Sequence, residues 1–499
     1  MAFDLPRLQT KTTDNFVSKN IFSSVLIVVS MRWVDRLLGL ISTLILARLL
    51  VPDDFGVVAM ASLFTGLVDI FLDLGVTAAL IHKRHCDDDD YSTAWTIRLM
   101  QTTLAGIIIV ASSPWVADYY NDSRVSAVLW VMAGTVFLGG LENIGIVSFQ
   151  KEMQFGRDFQ FFFLRRIVGF VVTLVLAWVL KSYWALPLGA LTGRIFGVGL
   201  SYNLHAFRPH FTLSRFKNVW SISQWMLLRS IGGYLDSRLD KLLIGRRTDA
   251  ATIGSYSLAD EISAMPTSEL LAPISRVLFP ALVEVREQPE QLRRIFLLAL
   301  SVQTLVALPA ATGLALVAPE AVIVMLGERW LNAVPFLQVL ALVYGISSVG
   351  HASAYLLMTL GQMRNMAIFI WLQFVLMALG AFTFLVDSGA LALAQWRLIV
   401  TALGTLGFII LLLRLVESLK ASDFLAAIWR PFSATGIMAA ALTYAPSMEL
   451  APAPLLIVRC SAGALIYGLA LLILWLIAGR PQTGEAYILN KLGLLREKR

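Results

Sequence analysis

Apolar residues run along this chain in blocks of about twenty, separated by short polar gaps, from near residue 20 to near residue 479. A helical block of that length spans about 30 Å, the thickness of a bilayer's hydrocarbon core. The pattern predicts an all-α polytopic membrane protein of about fourteen transmembrane helices, over 20–48, 55–80, 92–115, 125–149, 159–180, 184–206, 220–245, 252–280, 293–317, 333–360, 365–386, 391–416, 424–445 and 454–479. An amphipathic piece near 320–330 is expected at the surface.

Composition agrees: of 499 residues 58% are hydrophobic and 15% charged, and the mean hydropathy is +0.74. A soluble domain of this length cannot bury so much apolar surface. The net charge of +7 does not point to nucleic acid, because the basic residues sit in the short gaps, which is the pattern of membrane orientation. With the N-terminus placed in the cytoplasm, the inside gaps and tail hold 21 Lys and Arg and the outside gaps hold 5, so the positive-inside rule puts both termini on the cytoplasmic side. The first twenty residues are polar and lack the apolar core of a cleavable signal, so the first block is expected to stay as a span.

No gap on the outer side is long enough for a catalytic domain. HExxH, P-loop and GxSxG motifs are absent, and the two cysteines, Cys86 and Cys460, suggest neither a disulfide nor a metal site. The expectation is a transporter, not an enzyme. The acidic run Asp87–Asp90 reads as a solvated cytoplasmic turn capping the third helix, where carboxylates suit the positive end of the helix dipole.

The longest cytoplasmic gap, 207–219, suggests two halves: a six-helix bundle over 1–206 and a second over 220–416, followed by two further helices over 424–479 and a basic cytoplasmic tail over 480–499. An internal repeat supports this division. Ala47-Arg48 followed by Phe55-Gly56 recurs as Gly245-Arg246 followed by Ile253-Gly254, with the same spacing and an offset of 198 residues. Such weak symmetry is a mark of duplicated transporter halves.

A charge at the centre of a spanning helix costs about 2.5–3.5 kcal/mol on insertion scales, so each needs a partner, water or a task. The first helix carries Arg32, Asp35 and Arg36 on one face, the second Asp69 and Asp73, and the third Arg98. The seventh carries Arg229, Asp236 and Asp240 on one stripe, with Arg238 and Lys241 on another flank, and the eighth adds Asp260 and Glu261. Glu142, Arg194 and His351 read as isolated polar sites, and Arg397 and Arg459 as exceptions in a polar-poor C-terminal region.

Two readings stand beside each other. In one, Arg32, Arg36, Arg98, Arg229, Arg238 and Lys241 bind an anionic substrate in a water-filled cavity, because guanidinium forks suit phosphate. Asp35, Asp69, Asp73, Asp236 and Asp240 then serve ion coupling. In the other, the charges are structural pairs, Arg36 with Asp69 or Asp73 and Lys241 with Asp236 or Asp240, while Arg48, Arg165, Arg166 and Arg276 snorkel to an interface.

Two stretches carry a family resemblance: Leu46-Ala47-Arg48-Leu49-Leu50-Val51-Pro52-Asp53-Asp54-Phe55-Gly56, with Asp73-Leu74-Gly75 after it, and Asp240-Lys241-Leu242-Leu243-Ile244-Gly245, with Ile253-Gly254-Ser255-Tyr256-Ser257-Leu258-Ala259 after it. They resemble the polysaccharide-transport, or Wzx-type, flippases of the multidrug/oligosaccharidyl-lipid/polysaccharide exporter superfamily. The resemblance implies two six-helix bundles around a central cavity plus two C-terminal helices. It implies alternating-access transport of an undecaprenyl-pyrophosphate-linked oligosaccharide, with coupling to H⁺ or Na⁺ and no other cofactor. It also implies membrane lipids, a polysaccharide polymerase and chain-length proteins as partners. Arg246-Arg247 departs from it, standing where many relatives have smaller or apolar residues. The competing readings are a drug or cation exporter of the same superfamily, whose pocket should be acidic, and a polysaccharide polymerase or ligase, which should carry a large outer loop.

Overall fold

Each of the fourteen apolar blocks has its helix. The structure, a computed structural model, describes residues 34–491 except 35, 73–75, 77–79, 81–85, 153, 384–387, 447 and 482. The helices are α1 (36–49), α2 (Pro52–Leu72), α3 (Asp88–Tyr120), α4 (Arg124–Gly140), α5 (Phe155–Leu180), α6 (Ala185–Leu204), α7 (Phe216–Arg247), α8 (Ala250–Glu284), α9 (Pro289–Leu316), α10 (Val334–Thr359), α11 (Met363–Thr383), α12 (Gly389–Leu415), α13 (Ala421–Thr443) and α14 (Pro452–Ile477). No strand occurs among the described residues, and the chain is an all-α polytopic membrane protein. Eight of these helices are long and apolar enough to cross a bilayer on composition alone, nine if α4 and the helix after it count as one bent span. The remainder include α7 and α8, whose hydropathy is lowered by the charges described below. The surface piece expected near 320–330 is a short helix, Ala318–Met325, and a 3-10 turn, Glu328–Ala333. The expectation of a retained first span falls largely on residues outside those described.

Local chemistry fixes the helix ends. Asp87 caps α3: its Oδ1 accepts from the Asp90 N–H at 2.9 Å, and Asp90 Oδ2 accepts from the Asp87 N–H at 3.0 Å, a capping box built from the acidic run. Asn121 takes the left-handed conformation that ends α3, and Asp122 beside it holds Arg124. Asp249 caps α8 by accepting from the Thr252 N–H at 3.1 Å.

The fourth block differs from its expectation as one helix over 125–149. It breaks after Gly140, and the helical segment Ile144–Lys151 leaves at 67° to α4. Gly139-Gly140 weakens the helix, and Asn143 starts a new turn by accepting from the Gly145 N–H. Leu141, Glu142 and Asn143 are left outside helical structure.

The chain divides into two compact units, one of Met1–Leu50 with Phe64–Ile231 and one of Val51–Leu63 with Gly232–Arg499. In the first, α3 pairs with α4, α5 with α6, and α4 with α6. Residues 207–215 of the expected linker run along the start of α3: the Thr212 and Arg215 N–H groups donate to Thr96 and Thr93, His210 meets Ser92 at 3.0 Å, and Phe211 lies against Trp95.

In the second unit α9 and α10 form the centre, with α8, α12 and α13 around them. The two copies of the sequence repeat meet here. A Cβ placed on Gly56 would run into the Ala250 carbonyl and lie 2.8 Å from Ala250 Cα; one placed on Gly254 would run into the Pro52 carbonyl and lie 2.8 Å from the Gly56 nitrogen. Only glycine permits this crossing. Arg247 donates to the Ala381 carbonyl at 2.9 Å at the end of α11, which gives the departure at Arg246-Arg247 a structural task on one of its two residues.

The tail region also holds structure. Gly479 and Arg480 take positive φ and turn the chain back, and a short helix α15 (Gly484–Lys491) docks on α9. Arg430 Nε donates to Glu485 at 2.8 Å, both side chains are at most 4% accessible, and the Gly484 N–H donates to Ser301.

Candidate functional site

Glu142, in the break after α4, gathers three arginines from three other helices. Its Oε1 accepts from Arg165 Nη1 of α5 at 2.8 Å and from Arg194 Nη1 of α6 at 2.9 Å; its Oε2 accepts from Arg98 Nη2 of α3 at 3.3 Å. Three guanidiniums face one carboxylate, so among the described residues two positive charges remain uncancelled. The Glu142 side chain is 3% accessible while the arginine side chains are 24 to 29% accessible, so an incoming anion meets guanidinium and not carboxylate.

The helices place these groups in one layer. Arg98 lies ten residues after the start of α3, Arg165 ten after the start of α5, and Arg194 ten before the end of α6. At 1.5 Å per residue each sits about 15 Å from its helix end. Glycines make room. Gly197 lies against the Arg165 stem, where a Cβ would come within 2.5 Å of Cδ, and a Cβ on Gly139 would sit 3.5 Å from the Arg194 guanidinium.

The break itself is held rigidly. The Asn143 N–H donates to Ser201 at 3.0 Å and its side-chain amide to the Phe207 carbonyl at 2.6 Å. Just past α6, His205 accepts at Nδ1 from the Phe207 N–H at 3.1 Å and faces Ser148 with Nε2 at 3.2 Å. Burial pushes its imidazole below the ordinary range, which suits a neutral ring in this role.

The second unit holds a different network. Lys241 Nζ lies 2.6 Å from Asp260; Arg397 Nη1 lies 2.5 Å from Asp240 and 3.2 Å from Asp260. Tyr256 donates to Asp240, and Tyr344 donates to Asp260 at 2.8 Å. Among the described residues two carboxylates face two cations, so the set is electrically balanced; Asp240, Lys241 and Asp260 are buried and Arg397 half-buried.

Of the residues expected to bind substrate, Arg98 therefore lies in the arginine cluster and Lys241 in the balanced network. Arg238 is exposed on α7 and belongs to neither, and Arg36 is half-buried on α1. Of the expected coupling acids, Asp240 is paired with Arg397 and Asp69 is exposed on α2. Arg32, Asp35 and Asp73, and the side chains of Arg229, Asp236 and Arg276, lie outside those described. Glu142, Arg165, Arg194, Arg397, Tyr256 and Tyr344 were not singled out by sequence reasoning as members of a site. For Arg165 and Arg194, a depth along their helices equal to that of Arg98 is the signal that could have grouped them.

The model of a family described as "Polysaccharide biosynthesis protein" matches residues 45–335. Lipopolysaccharide biosynthesis protein WzxC of Escherichia coli (strain K12) is 26% identical over 331 residues, covering 64% of this chain and 66% of that protein. Teichuronic acid biosynthesis protein TuaB of Bacillus subtilis (strain 168) is 25% identical over 430 residues, covering 84% of this chain and 87% of that protein. Among solved structures, the lipid II flippase MurJ in an inward closed conformation superposes with a TM-score of 0.74 at 12% identity, covering 91% of this chain and 100% of that one.

Proposed function

We propose, from the premise that this chain belongs to the polysaccharide biosynthesis protein family, that it is a flippase for a lipid-linked oligosaccharide and that Arg98, Arg165 and Arg194 receive the anionic group of that cargo. The relatives named above, a lipopolysaccharide and a teichuronic acid biosynthesis protein, support a polysaccharide precursor; the likeness to MurJ supports the fold that carries it.

The observation that carries the site is the surplus of two positive charges around Glu142. An undecaprenyl-pyrophosphate linkage brings a matching negative charge, and each guanidinium bond to a phosphate oxygen contributes about 1.5–3 kcal/mol. A cationic drug would be repelled by the same surplus, which weighs against the exporter reading. With the positive-inside orientation, the cluster lies about 15 Å from the cytoplasmic helix ends, within reach of a headgroup entering from the inner leaflet.

Around that core stand the finer proposals. The membrane is the bacterial inner membrane, both termini are cytoplasmic, and the chain is a transporter and not an enzyme. A polymerase and chain-length proteins take the cargo on. Coupling to H⁺ or Na⁺ is assigned to the acids Asp35, Asp69, Asp73, Asp236 and Asp240.

The test is deletion of the gene, complementation with wild type or with the triple substitution Arg98→Gln, Arg165→Gln and Arg194→Gln, and extraction of lipids. The triple variant, present in the membrane at normal level, should accumulate full-length lipid-linked repeat units and lose surface polysaccharide. Normal polysaccharide in the deletion strain, with new sensitivity to cationic dyes, would overturn the flippase reading.

A further inference from the structure

We infer that Glu142 is a resident anion: in the empty protein its carboxylate holds Arg98, Arg165 and Arg194 converged, and the anionic group of the cargo binds by displacing it from them. The inference rests on the reading of the arginine cluster as the cargo's anion site, and it assigns Glu142 a positioning role, since it acts through the arginines.

Three guanidiniums converging without an anion repel one another, most of all where water is scarce. Something must hold them together before cargo arrives. The Glu142 carboxylate does so with two oxygens, one shared by Arg165 and Arg194 and the other on Arg98. A phosphate presents comparable oxygens to the same donors. Cargo and Glu142 are therefore competitors for one set of N–H groups.

The backbone decides how that competition runs. Asn143, next in sequence, is pinned by four hydrogen bonds, to Ser201, to Phe207, to His205 and from Gly145, so the carboxylate cannot retreat with its main chain. It gives up its arginines by side-chain rotation and stays within reach to take them back. The 3.3 Å bond to Arg98 is the longest of the three and the first to transfer. A site that binds and then releases its cargo needs such a returning competitor, because three free guanidiniums would hold a pyrophosphate too tightly to let it go.

Glu142→Gln keeps the size and removes the charge, raising the surplus from two to three. The resident-anion role predicts tighter anion binding with slower turnover; a role confined to structure predicts that both are lost. The experiment titrates inorganic pyrophosphate into the full-length protein in lipid nanodiscs at low salt, by calorimetry, and measures surface polysaccharide made per unit of protein in complemented cells. The expected result for Glu142→Gln is about tenfold tighter pyrophosphate binding, with polysaccharide output reduced several-fold. Equal or weaker binding in a folded variant overturns the inference and leaves the anion site standing. Failure of the wild type to bind pyrophosphate overturns the reading of the site itself. Should Glu142→Gln not fold, Glu142→Asp, which draws the carboxylate back by one methylene, is expected to shift binding in the same direction by a smaller factor. Unchanged or weaker binding in Glu142→Asp sinks the idea equally.

Discussion

Replacing Arg397 by methionine tests the balanced network of the second unit most directly. Methionine approximates the arginine stem and is a good helix former, so the change is confined to the charge and its hydrogen bonds. In the native protein Arg397 serves both carboxylates, at 2.5 Å from Asp240 and 3.2 Å from Asp260. Without it, Asp260 keeps Lys241 and Tyr344, while Asp240 keeps, among the described residues, the Tyr256 hydroxyl and the Lys241 N–H. A carboxylate 3% accessible would then be buried without a counter-ion. Removing one partner of a buried pair costs about 3–5 kcal/mol. Neutralising the orphan, by adding Asp240→Asn to Arg397→Met, should return about 2 kcal/mol as a coupling energy. The assay is reversible unfolding in mixed micelles, followed by tryptophan fluorescence, for wild type, both single variants and the double. A cost for Arg397→Met under about 0.5 kcal/mol, the range of an ordinary surface change, would refute the reasoning. So would a double variant whose loss equals the sum of the singles.

Gly56→Ala and Gly254→Ala should each destabilise the second unit by about 1–3 kcal/mol through overpacking at the crossing, whereas Gly436→Ala, where no atom lies within 4 Å of the new Cβ, should be neutral or stabilising; thermal unfolding of the three side by side checks this. Glu485→Gln should free α15 from Arg430, and limited trypsin digestion should then cut at Arg480 and Lys491 several-fold faster than in wild type. His205 has a folded pKa below its unfolded value of about 6.5, so its contribution to stability is fully present above that value and is lost as pH falls through the lower folded one. The segment 207–215, held partly through His205, should therefore become more protease-sensitive between pH 7.5 and 5.5, and His205→Gln should blunt that dependence.

Much of the fold was legible because the bilayer imposes it. Blocks of about twenty apolar residues have few alternatives to spanning helices, and each of the fourteen holds a helix among the described residues. The acidic run capping α3 was readable from the helix dipole alone. What escaped was whatever depends on tertiary neighbours. The block 125–149 is apolar throughout, so hydropathy could not show that Gly139-Gly140 and Asn143 break it, and the break is what places Glu142. Arg165 read as a snorkelling side chain because its position on α5 is compatible with that; only its meeting at Glu142 with the arginines of α3 and α6 makes it a member of a cluster. Arg397 looked like an exception in a polar-poor region, yet it neutralises Asp240, 157 residues away. The candidate residues of the first and seventh helices were prominent because they crowd together in sequence, and crowding along a helix says little about which charges meet across helices.

The crossing of Gly56 with Ala250 and of Gly254 with Pro52 is reciprocal. Each contact is the other shifted by 198 positions, so the relation is isologous: what the first copy does to the second, the second does to the first. Two identical molecules meeting about a twofold axis make contacts of this kind. At the crossing the two copies of the repeat keep that reciprocal form, and each glycine is the steric boundary of the opposite copy: two backbones touch there with nothing between them.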